Sequence, residues 1–157
     1  MKHARFTIAT ALFALLALSG CGLTSSPADN LTFKAPAGWQ GSPGMMGFMQ
    51  FWTAPNSRDE VLMLFKSPKP LQVNEVFSSA DLKDADVEAQ KAITICGNQP
   101  GQYFKARGSL KGNSNSNVEM VMTNAGGTTY MAMYVYPMGA QTNAAAEAAL
   151  RELCTKP

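Results

Sequence analysis

Two apolar runs around a pair of glycines constrain this chain more than any other feature. Val118–Asn124 and Thr128–Tyr136 flank Gly126-Gly127. Adjacent glycines accept positive φ at no steric cost, so they mark a tight turn between antiparallel strands. Residues 129–136 are apolar on both sides of the strand. A strand with one wet face would alternate, so this one belongs at the centre of a sheet covered twice. A turn centred between the glycines, with a two- or four-residue loop, sets Met122 against Met131 and Met120 against Met133. All four methionines then share one face, and the other carries Glu119, Val121, Thr123, Tyr130, Ala132 and Tyr134. A three-residue loop would slip the register by one and set Met122 against Tyr130.

The other elements read around that hairpin. Leu31-Thr32-Phe33 is a short strand stopped by Pro36 and a turn at Gly38-Trp39. Gly47–Thr53 alternates as a strand does, and Val61–Phe65 is an unbroken apolar run that fits a strand covered on both faces. Pro68 and Pro70 end it. Val73, Val76 and Phe77 then fall at helical spacing within Gln72–Ala80. Asp81–Gln90 reads as acidic and solvated, with partial helical character. Ala92–Cys96 and Gln102–Leu110 are further strands. Asn143 is positioned to cap a closing helix, Ala144–Cys154, that aligns Ala146, Leu150 and Leu153. The expected class is α+β: an antiparallel sheet of five to seven strands flanked by helices.

The order Phe33…Ala35-Pro36-x-Gly38-Trp39, a hairpin, a helix, Cys96-Gly97-Asn98, a long hairpin ending Tyr130…Tyr134 and a closing helix resembles the PsbP-like superfamily, which includes DcrB-like bacterial lipoproteins. The resemblance spans about residues 31–154. It implies a sheet sandwiched between helices and a role in docking to other proteins. It supplies no catalytic motif to carry over, and the cysteine pair is a departure from the superfamily pattern as a whole.

The N-terminus reads as a targeting segment. Lys2 and Arg5 precede an apolar stretch, Phe6–Leu18, followed by Leu18-Ser19-Gly20-Cys21. A thirteen-residue helix rises roughly 20 Å, short of a ~30 Å hydrocarbon core, which suits a signal peptide better than a permanent span. The last four residues resemble a lipobox. That resemblance implies removal of residues 1–20, acylation of Cys21 and anchorage to a membrane through the lipid. An ordinary secretory signal with a chance cysteine is the alternative. Residues 21–30 read as the lipidated cysteine and a tether, and 31–157 as one domain. Gly22 follows the cysteine where enteric-type sorting places a retaining Asp, which points to the periplasmic side of the outer membrane.

Lys2 and Arg5 account for the formal net charge of +2, so removal of the signal leaves eleven basic and eleven acidic residues. A neutral domain lacks the basic footprint of a nucleic-acid binder. The single histidine, His3, also leaves with the signal. Imidazole-based triads and His-ligated metal sites are thereby excluded from the mature chain. Cys96 and Cys154 remain, and an exported pair is expected to form a disulfide worth about 4 kcal/mol by loop entropy. Two free thiols, or a thiolate nucleophile, are the alternative.

Other constellations are weaker. Met45, Met46 and Met49 near Trp52 offer thioethers of the kind that select Cu(I), although methionine is more often a gap-filler. Asp81, Asp84, Asp86 and Glu88 lack the EF-hand glycine and closing glutamate, so they read as a solvated face rather than a Ca²⁺ site. Lys105 and Arg107 share one side of a strand and would suit an anionic partner, or simply be exposed. The four hairpin methionines are either core or an adaptable binding face. No cofactor is expected. The function these features favour is a non-enzymatic, membrane-anchored docking module for an unidentified envelope protein. The alternative is a carrier of a small apolar ligand or Cu(I) through its methionine and aromatic surfaces.

Overall fold

The computed structural model describes residues 27–42, 47–79, 86–108 and 116–156. The expected signal segment, Cys21 and the Met45-Met46 pair lie outside them, as do Asp81 and Asp84. The described elements form one seven-stranded antiparallel sheet in the order β1-β2-β3-β7-β6-β5-β4. The strands are β1 (Gln40–Gly41), β2 (Met49–Ala54), β3 (Ser57–Ser67), β4 (Asp86–Ile95), β5 (Gln99–Gly108), β6 (Ser116–Ala125) and β7 (Thr128–Pro137). Two short helices complete the domain, α1 (Val73–Ser79) and α2 (Ala144–Arg151). This is the expected α+β class.

The glycine hairpin organises the sheet. Gly126 and Gly127 both take positive φ, 56° and 76°, between the ends of β6 and β7. The loop has two residues, so Met122 pairs with Met131 and Met120 with Met133. β7 sits at the centre between β3 and β6, and nearly all of its length is buried.

Alternation along the strands divides the core in two. On one face Leu62, Leu64, Val121, Tyr130, Ala132 and Tyr134 pack with Ala146, Ala149, Leu150 and Leu153 from α2 and its exit. On the other, the four methionines pack with Phe104, Val118, Val135 and Val76 of α1. The sheet is therefore covered by a helix on each side. β3 is less evenly covered than its apolar run suggests. Leu62 and Leu64 are fully buried, while Val61, Met63 and Phe65 are half-buried.

Three local expectations need correction. Leu31–Phe33 is not a strand: Leu31 makes an isolated bridge to Thr155, and Phe33 plugs the core against Trp52, with ring centroids 5.4 Å apart. Residues 86–90 are not helical but begin β4, an edge strand whose first half is almost wholly exposed and so leaves no apolar alternation to read there. α2 ends at Arg151 rather than at Cys154, with Glu152 as its C-cap at φ −91° and ψ 18°. Its N-terminus is as expected, since the Asn143 side chain accepts from the N–H groups of Ala145 and Ala146 at 3.1 and 3.4 Å.

Chain ends and turns gather at one end of the sheet. Cys96–Cys154 is a disulfide with Cα atoms 5.6 Å apart, tying the β4–β5 turn to the C-terminal segment. Cys96 holds φ 57°, a left-handed conformation few non-glycine residues adopt. The C-terminal segment pairs in turn with the N-terminal one: the Thr32 N–H donates to the Cys154 carbonyl at 2.9 Å, and the Lys156 N–H to that of Asn30 at 3.0 Å. A 3-10 turn at Pro27–Asn30 lies against β3. The β6–β7 turn and the last residue of β3, Ser67 opposite Thr129, lie at this same end.

Candidate functional site

The most polar feature of the interior is Glu119 on β6. Its neighbours Val118, Met120, Val121 and Met122 are apolar and buried, and Glu119 itself is 1% exposed. A carboxyl group held out of water needs partners. Two tyrosines from flanking strands supply them: Tyr103 on β5 donates to Oε2 at 2.9 Å, and Tyr136 on β7 donates to Oε1 at 2.8 Å. Lys105 on β5 places its ammonium 3.7 Å from Oε1. The Thr142 hydroxyl lies 3.2 Å from the Tyr136 hydroxyl, which carries the network to the loop before α2.

Beside it, Tyr134 donates to Glu60 of β3 at 3.0 Å and accepts the Asn143 N–H at 3.4 Å. Tyr134 and Tyr136 stack with centroids 4.7 Å apart, and Trp39 meets Tyr134 edge-on at 6.1 Å. The three phenols are all pushed above the usual tyrosine range. Burial is the main cause for Tyr103, Tyr134 and Tyr136, and acceptance of each proton by Glu119 or Glu60 adds to it. They are held as donors. Among the described residues no buried side-chain polar atom lacks a partner. A small cleft of about 30 Å³, lined by Tyr103, Glu119, Val121, Glu147, Leu150 and Arg151, opens where α2 crosses the network. That is space for one water. The geometry suits a polar rivet that fixes α2 and the β5–β6–β7 register. One signal for it stood in the sequence, a lone acidic residue inside an apolar strand.

The residues singled out by sequence fall as follows. Met120, Met122, Met131 and Met133 meet on one face and are 0–6% exposed, packed as core beneath α1. Met49 lies on β2, half-buried. Lys105 and Arg107 do share a strand side, and each has a carboxylate partner: Lys105 faces buried Glu119, and exposed Arg107 makes a surface ion pair with Glu88 of β4. Glu88 is therefore a strand residue with a fixed partner. Among the described residues no group of three or more His, Cys, Asp or Glu is arranged to hold a metal ion. No described helix is long and apolar enough to cross a membrane.

The outer side of β4 is what the fold leaves open. It pairs with β5 on one side, and among the described residues no strand pairs with the other. A bulge between Val87 and Ala89 breaks the ladder near its start, leaving Ala89–Ile95 as a regular run. Gln90, Lys91, Ala92 and Thr94 are exposed along that run, and Lys91 lies over the Tyr103 ring at 5.2 Å.

Solved structures match most of the chain. The solution structure of cyanobacterial PsbP (CyanoP) from Synechocystis superimposes with TM-score 0.51 at 18% identity, over 76% of this chain and 84% of that one. The fold is PsbP-like. A crystal structure from Bacteroides thetaiotaomicron matches with TM-score 0.54 at 14% identity, covering 85% of this chain but only 46% of that one. No protein-family model matches the sequence. No curated protein matches it either. At these identities the likeness is one of fold, and the PsbP-like architecture accounts for the helix-covered sheet seen here.

Proposed function

We propose that this chain is exported, cleaved before Cys21 and acylated there, and that its domain docks onto an envelope protein rather than catalysing a reaction. The single observation that carries the docking reading is the open edge of β4. A strand edge presents a row of unpaired N–H and C=O groups, and an extended peptide adds to it as a further strand. The regular run Ala89–Ile95 offers seven residues of such an edge. Gln90, Ala92 and Thr94 are short or neutral, and the one charged side chain of the run, Lys91, lies back over the Tyr103 ring at 5.2 Å, which leaves room for a partner backbone. The matching occupant is an extended, uncharged segment of an envelope protein. The polar groups of the interior suit a scaffold: the Glu119 carboxyl, Tyr103, Tyr136 and Lys105 engage one another, and Arg107 pairs with Glu88.

The test uses the lipidated chain captured from detergent-solubilised envelopes, alongside an Ala92→Lys/Thr94→Lys variant. Both positions are exposed, so the substitutions leave the core untouched. Added lysines on an edge oppose strand addition. A defined envelope protein captured by the wild type should fall at least about tenfold with the variant, equivalent to roughly 1.4 kcal/mol. Equal capture by both would remove β4 as the docking edge. Palmitate labelling tests the anchor separately: Cys21→Ser should abolish it.

A further inference from the structure

We infer that the tether-exit end of the domain is a membrane-apposed face that engages anionic lipid headgroups through Phe48, Lys66 and Lys69. This rests on Cys21 being the lipid anchor and goes beyond it, because an anchor alone does not say which surface meets the bilayer.

Chain length supplies the first argument. From Cys21 to Pro27 is six residue steps, which reach at most about 20 Å. β3 alone, with eleven residues, is about 37 Å long. The end where the chain leaves the domain therefore stays near the bilayer, and the far turns at Pro55-Asn56 and Met138–Ala140 are held away from it. Pro27–Asn30 packs against β3, and Asn30 is bonded to Lys156, so the exit point is fixed in the fold.

The chemistry of that end supplies the second. Phe48 is 46% exposed, among the most exposed large apolar residues of the domain. It borders an open depression of about 440 Å³ lined by Gly47, Phe48, Lys66, Ser67 and Pro68, with no carboxyl group among those residues. The Lys66 N–H donates to the Phe48 carbonyl at 2.8 Å, which locks the two together. Lys69 is held nearby, since Thr129 Oγ1 accepts the Leu71 N–H at 2.9 Å and lies 3.0 Å from the Lys69 carbonyl oxygen. Neither lysine makes an ion pair among the described residues. An exposed ring flanked by lysines on long apolar stems suits the headgroup layer, where the ring enters and the ammonium groups reach phosphate. The end is not uniformly basic: Asp29 lies at the tether exit and Glu152 beyond α2. The contact is therefore assigned to the Phe48 side.

The experiment places the full lipidated chain in vesicles with brominated acyl chains, either 30% phosphatidylglycerol in phosphatidylcholine or phosphatidylcholine alone. A Phe48→Trp variant reports contact, while the native Trp39 and Trp52 pack against the core and give the background. In phosphatidylglycerol vesicles quenching should rise roughly twofold over the wild type, and Lys66→Glu/Lys69→Glu should return it to background. Intact-mass measurement of the same samples establishes whether Cys21 is acylated. Acylated protein without added quenching overturns the membrane face and leaves the lipoprotein reading standing. Unacylated Cys21 takes down both. Equal quenching in phosphatidylcholine alone overturns the headgroup assignment.

Discussion

Glu119→Ala is the most informative single change to the interior. It removes the acceptor of two phenols and the partner of Lys105. Tyr136 is 2% exposed and is left with only the Thr142 hydroxyl, 3.2 Å away, to accept its proton, whereas half-buried Tyr103 can turn partly to solvent. Hydrogen bonds to a charged group contribute about 1.5–3 kcal/mol each, and a buried unsatisfied donor costs about 1–3. The Lys105 pair, at 3.7 Å with its side chain 35% exposed, adds ~0–1 kcal/mol. The expected loss is about 3–5 kcal/mol, a large share of the ~5–15 kcal/mol typical of a domain. With an m-value of about 2 kcal/mol/M, the urea midpoint followed by tryptophan fluorescence should fall by roughly 2 M. The diagnostic arm is the triple variant Glu119→Met/Tyr103→Phe/Tyr136→Phe. Replacing every partner by an apolar group of similar shape is close to neutral, so the triple variant should recover most of the lost stability. A midpoint shift under about 0.5 M for Glu119→Ala, or a triple variant worse than the single one, would refute the polar-rivet reasoning.

Further outcomes follow from other parts of the fold. Cys96→Ser/Cys154→Ser opens a cross-link with a sequence separation of 58, so chemical unfolding should show a loss of about 4 kcal/mol. Alkaline titration should find Tyr103, Tyr134 and Tyr136 still protonated in the native chain well above pH 10. Their folded-state pKa values lie above the unfolded value, so their contribution is fully present below about pH 10 and is lost as pH rises beyond it. Phenolate absorbance near pH 10 from these residues in native protein would contradict that. Asn143→Ala removes the cap of α2 and should cost about 1 kcal/mol in the same urea assay, with no change in β-sheet signal.

Legibility from sequence followed how local each cause was. The β6–β7 register was readable because two glycines with positive φ set the loop length, and loop length sets every cross-strand pair after it. The disulfide was readable because assigning Cys21 to the expected lipobox leaves a single possible pair, Cys96 and Cys154. Asn143 announced α2 because its side chain caps N–H groups two and three residues on. The stop at Arg151 was not announced, since apolar spacing continues to Leu153 although the helix does not. β4 was half missed for a physical reason: its first residues are nearly all exposed and carry no apolar alternation, so Asp86–Gln90 read as solvated with partial helical character, while Ile93 and Ile95 at its other end reach the core. Glu119 was marked in the sequence as a lone acid in an apolar strand, but its partners were beyond one-dimensional reading. Its donors come from β5 and β7, and only the assembled sheet brings Tyr103 and Tyr136 to the two oxygens of one carboxyl group. The same assembly gave Lys105 and Arg107 carboxylate partners on neighbouring strands, Glu119 inside and Glu88 at the surface.

Site-specific photo-crosslinking in cells tests the docking claim most directly. A photoreactive residue is placed at Ala92 on the open β4 edge and, as a control, at Arg58 on exposed β3 near the opposite turn. The account predicts one dominant protein adduct from position 92 and little or none from position 58. Equal adducts from both positions, or none from 92 in protein shown to be acylated, would contradict it.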